Sequence, residues 1–280
     1  MKIGITGATG QLGKLVVEQL KEKVGKNSIV ALVRNPEKAK VLDVETRSFD
    51  YDKPEALTEQ LKGIDRLLLI SANEIGQRAR QHKNVIDAAK NAGIQWLVYT
   101  SLLHVDSTTL NLAGEHLETE KMLKDSGIGY TILRNGWYTE NYTGSIGGAL
   151  AGGAFIGSAG SGKISSAARA DYAEAAAIVL SDENYKGKVF ELAGDNAYTL
   201  TDLAAEISKQ TGKAIPYKNL SEAEYAKILE SFNIPKEFAA AIASWDVSVS
   251  KGDLFDNSQQ LSKIIGRNTT SMAKSVKLAL

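Results

Sequence analysis

Two glycine-rich stretches in this chain have the composition to hold a phosphate. In the first, KIGITGATGQLGKLVVEQL, Gly7, Gly10 and Gly13 stand between a strand-like run and an amphipathic helix pattern. A dinucleotide pyrophosphate rests on a helix N-terminus in that setting. Gly7 permits the tight turn, Gly10 lets the backbone approach the pyrophosphate and Gly13 lets the helix pack on the strand, with Ala8, Thr9, Gln11 and Leu12 completing the loop. The second stretch, FIGSAGSGKISS, puts Gly157, Gly162 and Lys163 at the spacing of a mononucleotide P-loop. That motif needs Ser or Thr after the lysine to ligate magnesium, and a helix beyond. Ile164 follows instead. The stretch reads as a turn, and ATP-driven phosphoryl transfer is set aside.

The strand-like run IVALVR ends in Arg34 and Asn35. An acidic residue there would hold the ribose 2′-hydroxyl of NAD, whereas arginine accommodates a 2′-phosphate. NADPH is therefore favoured over NADH, with Lys38 available as a second positive charge. Asp50 and Tyr51, after the third strand, are placed to meet the adenine. Ser71, after the fourth, is placed to line the ribose or pyrophosphate, and Arg78 to reach a cofactor phosphate.

These residues need a scaffold, and its pattern is regular. KIGIT, SIVALVR, DRLLLIS, WLVYTS and YTILR alternate with helical QLGKLVVEQLKEK, PEALTEQLKG, QRARQHKNVIDAAKNAG and GEHLETEKMLKDSG. Such alternation predicts βαβ crossovers, hence an α/β, Rossmann-type, doubly wound parallel sheet. Gly93 and Gly127 mark two helix C-termini, where a left-handed residue is needed. Beyond Arg134 the alternation weakens, and the final part reads as mostly helical. The expectation is one unit over 1–280, with a core over about 1–135. A smaller, mainly helical lobe covers about 136–280, with some segments returning to the core.

Composition narrows the function classes. With 33 basic and 33 acidic residues there is no global field for nucleic acid or an anionic membrane. The cluster RARQHK lacks interleaved aromatics and reads as a solvated helix start. No cysteine is present, which removes thiolate chemistry and disulfides. The start of the chain lacks the signature of a secretory leader, so a cytoplasmic location is expected. GSIGGALAGGAFIG is too short and too glycine-rich for a membrane span, which takes roughly 20 apolar residues. His82, His104 and His116 are too dispersed to suggest zinc. His82 reads as a helix surface residue.

ITGATGQLG, LVRNPEKA, GQRARQHKNVIDAAK, YTSLLH, HLETEKML, ILRNGWYTENY and GKISSAARADYAEAAA resemble the NmrA-like atypical short-chain dehydrogenases, and within them the bacterial NADPH-dependent quinone oxidoreductases. The resemblance extends from Met1 into the C-terminal helices. LRNGWYTENY and RADYA are its specific parts, because the G-x-x-G-x-x-G loop is shared more widely. It implies hydride transfer from nicotinamide C4 to a quinone, with no metal and no flavin. It also implies a nicotinamide pocket between the strand ends and the C-terminal lobe.

Members that act on alcohols carry Tyr-x-x-x-Lys in the fifth helix. Aligning on HLETEKMLKDSG puts Leu112 and His116 at those positions. The missing dyad argues against alcohol dehydrogenase and epimerase chemistry, which needs acid–base help at an alkoxide. Hydride addition to a quinone leaves a weakly basic phenolate that water can protonate, so orientation suffices.

Candidates for the substrate pocket follow the sixth strand: Trp137, Tyr138, Asn141 and Tyr142, with Thr139, Glu140 and Asn141 also expected against the cofactor. Asn141 could donate to a quinone oxygen, or serve as a helix cap. Trp137 and Tyr138 could stack on a ring, or pack a lid. Arg169 could hold a phosphate or a developing oxyanion, or form a salt bridge at its helix start, and His104 could reach the substrate side. A dinucleotide-binding redox sensor with a protein partner is the alternative function, and oligomeric state is left open.

Overall fold

Seven strands form one sheet, and six of them come from the first half of the chain: β1 (Ile3–Thr6), β2 (Ile29–Val33), β3 (Glu45–Ser48), β4 (Arg66–Leu69), β5 (Trp96–Leu102) and β6 (Gly129–Asn135). The computed structural model describes all residues, 1–280. β7 (Phe155–Gly157) lies outside this sheet, and β8 (Val189–Leu192) is its seventh strand. The order is β3-β2-β1-β4-β5-β6-β8, and every pairing is parallel. β1, β2, β4 and β5 are buried along their whole length, as strands covered on both faces must be. The fold is α/β and doubly wound. From β1 the chain moves outward to β2 and β3, then returns to β4 on the other side of β1, which places the switch point between β1 and β4.

α1 (Gln11–Val24) covers one face together with α8 (Arg169–Ser181) and α12 (Gln260–Ile265). α3 (Pro54–Gln60), α4 (Arg78–Asn91) and α5 (Ala113–Asp125) cover the other, and the short α2 (Pro36–Ala39) follows β2. Thus α8, β8 and α12 come from the second half of the chain and complete the first core. Gly93 and Gly127 close α4 and α5 at φ +78° and +81°.

The lobe has its own core. It gathers α6 (Glu140–Thr143), α7 (Ile146–Gly152), α9 (Leu200–Thr211) and α13 (Met272–Ala279) around Phe155, Ile164 and Leu203. β7 pairs in parallel with β9 (Tyr217–Asn219), and α10 (Glu222–Ser231) packs against α11 (Lys236–Ser250). No helix is long and apolar enough to cross a membrane.

One buried ion cluster fixes where the sheet hands over to the lobe. Arg134, at the end of β6, meets Glu120 at 2.8 Å and Glu191 at 2.9 Å, tying α5, β6 and β8 together just before Trp137 and Tyr138.

Candidate active site

The first glycine loop folds back on itself. Gly7 sits at φ +59°, in the left-handed region that side chains resist, and its carbonyl accepts the N–H of Gly10 at 2.8 Å. A Cβ on Gly13 would overlap that carbonyl and stand 2.7 Å from Ala8 Cα. The first bond closing a helical turn runs from Lys14 N–H to Gly10 O, so the N–H groups of Gln11, Leu12 and Gly13 precede the ladder. No side chain caps α1 and no acid lies in its first turn. Its positive dipole end therefore suits an anion.

The loop opens onto a cleft of about 810 Å³ beyond the carboxyl ends of β1 to β4. Gly7, Thr9, Gly10, Gln11 and Leu12 line it, whereas Ala8 is fully buried beneath and packs into the core. Arg34, Asn35 and Lys38 line it after β2, Asp50 and Tyr51 after β3, and Ser71 after β4. Tyr138 and Arg169 reach it from the lobe. Sequence reasoning missed Asn73, Glu74 and Gln81, which also line it. The only signal was that the segment after Ser71 runs on polar toward α4.

Buried side chains pin the exit of β4. Thr6 Oγ1 accepts from Ile70 N–H at 3.0 Å, and Thr100 Oγ1 from Ser71 N–H at 2.9 Å. Ala72 is held at both its polar groups. Its N–H donates to His82 Nε2 at 2.9 Å, and its carbonyl accepts from Arg78 Nε at 2.8 Å. Two expectations are corrected here. Arg78 does not line the cleft, because its guanidinium is committed to Ala72 O and to Glu115 at 3.2 Å. His82 is not a surface residue but fully buried, since Arg78, Gln81, His82 and Val85 share the inward face of α4 despite their polar composition.

Burial, followed by the Arg78 charge, lowers the His82 pKa to about 3. Its Nε2 accepts as the neutral ring requires, and Nδ1 donates to Thr119 Oγ1 at 3.0 Å.

On the lobe side, neighbours point opposite ways, as extended backbone dictates. Tyr138 packs on the first core beside the cleft, while Trp137 joins the second core, edge-on to Trp245 at 5.5 Å. The Arg169 guanidinium lies 4.7 Å over the Tyr138 ring and donates to Asn141 Oδ1 at 2.9 Å. Glu140 accepts the Arg169 N–H at 3.0 Å, so its carboxylate caps α8 instead of lining the cleft.

Other expected residues lie elsewhere. Thr139 is buried with its hydroxyl 2.8 Å from Ser166 Oγ. Tyr142 is buried in the second core, where desolvation raises its pKa well above the usual value. His104, at φ +52°, turns its Nε2 to Asp256 at 3.1 Å, outside the cleft.

The dyad positions are also accounted for. Leu112 packs on the second core, and His116 Nδ1 lies 2.7 Å from Tyr99 Oη. Burial and then Arg78 hold the His116 pKa at about 3, and Tyr99 is fully buried. This tyrosine and histidine are sealed from the cleft.

The model of the NAD(P)H-binding family matches residues 7–183. Quinone oxidoreductase 2 of Escherichia coli (strain K12) is 58% identical over 277 residues, covering 98% of this chain and 97% of that protein. The crystal structure of an E. coli NADPH-dependent quinone oxidoreductase complexed with NADPH has a TM-score of 0.96 at 57% identity, covering 99% of both chains. The Citrobacter sp. triphenylmethane reductase complexed with NADP(H) has a TM-score of 0.96 at 36% identity, covering 100% of both.

Proposed function

The chain belongs to the NmrA-like NAD(P)H-binding family, and on that premise we propose that it is an NADPH-dependent quinone reductase. The observation that carries this reading is a cleft with a glycine-cradled helix N-terminus and an arginine after β2, in a chain so similar to an NADPH-dependent quinone oxidoreductase. The donor set fits the dinucleotide. A Cβ at Gly10 would stand 3.1 Å from Gly7 O, crowding the turn where a phosphate approaches. Backbone N–H groups of Gln11 to Gly13 hold the pyrophosphate, and Arg34, with Asn35 and Lys38 beside it, holds the 2′-phosphate. Asp50 and Tyr51 border the adenine, and Ser71 the ribose.

Arg34 and Tyr138 follow β2 and β6, on opposite sides of the switch point, so the adenine and nicotinamide ends fall apart in that sense. When bound, NADPH supplies a hydride from nicotinamide C4. Tyr138, topped by Arg169, forms the wall of the reacting end. The Arg169 guanidinium, which also pairs with Glu140 at 3.7 Å at the start of α8, donates to the phenolate oxygen that hydride addition creates on the quinone. Asn141 fixes the guanidinium for that task. Solvent water protonates the phenolate, because Tyr99 and His116 are sealed off and a phenolate needs no strong acid. Hydride and proton together convert quinone to hydroquinone.

The test follows NADPH oxidation with and without p-benzoquinone, corrected for the non-enzymatic rate and repeated with NADH. Quinone-dependent turnover that prefers NADPH is expected. Saturable NADPH binding with no turnover on several quinones overturns the reading in favour of dinucleotide sensing.

A further inference from the structure

Arg34 is already engaged. Its Nη1 lies 3.5 Å from Oε1 of Glu74, across the end of β1 from the β2 side to the β4 side. The two partners differ in freedom. The Arg34 side chain is 73% exposed and that of Glu74 44%, but Glu74 has a second tether: its Oε2 accepts from Gln81 Nε2 at 3.0 Å, and Gln81 is only 3% exposed. The Gln81 amide cannot turn over without cost. Nε2 also faces Asp52 at 3.2 Å, and a flipped amide would set its oxygen against two carboxylates. Asp52 has its own cation, Arg80 at 2.5 Å. Glu74 is thus the carboxylate that faces Arg34 and stays in place when Arg34 moves.

We propose that Glu74 is a specificity-determining residue, a fixed competitor for Arg34 that the cofactor 2′-phosphate must displace. This rests on reading Arg34 as the 2′-phosphate site. NADPH draws Arg34 toward its 2′-phosphate at the expense of the Arg34–Glu74 pair, and brings a further negative charge near a carboxylate that Gln81 holds. NADH leaves the pair intact. Glu74 therefore weakens NADPH selectively, narrows its advantage over NADH and hastens release of the oxidised phosphorylated cofactor.

The experiment measures Kd for NADPH and NADH by fluorescence titration in the parent, Glu74→Gln, Arg34→Ala and the double variant. Glutamine keeps the shape and can still accept from Gln81, and circular dichroism checks folding. Glu74→Gln is expected to tighten NADPH about 3- to 10-fold and to move NADH less than about 2-fold, with the gain shrinking at high salt. In the Arg34→Ala background the gain falls below about 2-fold, because the two residues act as one unit. If Arg34→Ala abolishes the NADPH preference while Glu74→Gln changes nothing, the competitor role is overturned and the cofactor reading stands. A full Glu74→Gln gain without Arg34 also overturns it, since the carboxylate would then act on the phosphate directly. If Arg34→Ala leaves the preference untouched, the reading of Arg34 fails and the competitor role fails with it.

Discussion

Residues 7–13 and 157–163 are alike in composition, yet they have opposite relations to an anion. The first loop makes its close contact within itself, Gly13 against Gly7, and leaves three N–H groups ahead of the α1 ladder. In the second, a Cβ on Gly162 would overlap Val249 O, at the end of α11. Four of its N–H groups are already taken: Ser158 by Asp246 at 2.8 Å, Ala159 by Tyr217 at 3.1 Å, Gly160 by Asn219 at 2.8 Å and Gly162 by Ala159 O at 2.9 Å. Asp246 places a carboxylate where a P-loop would receive a phosphate. Glycine permits close approach, and what approaches decides the function.

Exchanging the two glycine contacts gives the largest effect. Gly13→Ala forces a methyl into the backbone of Gly7 and Ala8, and NADPH titration is expected to find no measurable binding. Gly162→Ala meets the same kind of backbone contact in the lobe. It is expected to lower the unfolding free energy by about 1–3 kcal/mol in a urea titration while leaving NADPH affinity within about 2-fold. Loss of NADPH binding in Gly162→Ala would erase the distinction between the loops.

The regions should also answer pH with opposite signs. Desolvation raises the Asp246 pKa to about 6, so the folded state prefers the protonated form. Its contribution is full below the ordinary value of 3.8 and is lost as pH rises through about 6. Asp246→Asn keeps the acceptor for Ser158 and is expected to stabilise by up to about 3 kcal/mol at about pH 8, with little effect at about pH 4. Behind the first cleft, His82 is held neutral with a pKa of about 3. The unfolded chain binds its proton near pH 6.5, so stability is full above that point and falls by about 1.4 kcal/mol per pH unit below it. Replacing His82 with Gln should remove its share of the acid-side slope and leave the similar share of His116, whose pKa is also held at about 3. Urea unfolding from about pH 4 to 8 checks both, and equal slopes in parent and variants would sink the assignment.

The smallest effect sharpens the same point. Lys163, the P-loop look-alike, has its ammonium 5.9 Å from the Phe255 ring. Lys163→Ala should change stability by no more than about 0.5 kcal/mol and create or remove no magnesium-dependent ATP binding, as isothermal titration would show.

The parallel sheet and the glycine turn were legible because each follows from local rules: β-branched runs, helical periodicity and one residue that must adopt φ +59°. Arg34 was legible from its place after β2. The burial of His82 was hidden, because a polar helix segment shows no apolar stripe. Tyr138 and Trp137 read as equivalent, and only their alternation between two cores separated cleft wall from lobe packing.

The sequence by itself determined a nucleotide-binding strand–turn–helix, since its steric and dipole requirements lie within one short segment. Only the tertiary structure decided which N–H groups stay free and which charges meet. Those outcomes depend on distant segments coming together, as Asp246 on Ser158, Arg169 on Tyr138 and Gln81 holding Glu74 against Arg34, and no local rule encodes such a meeting.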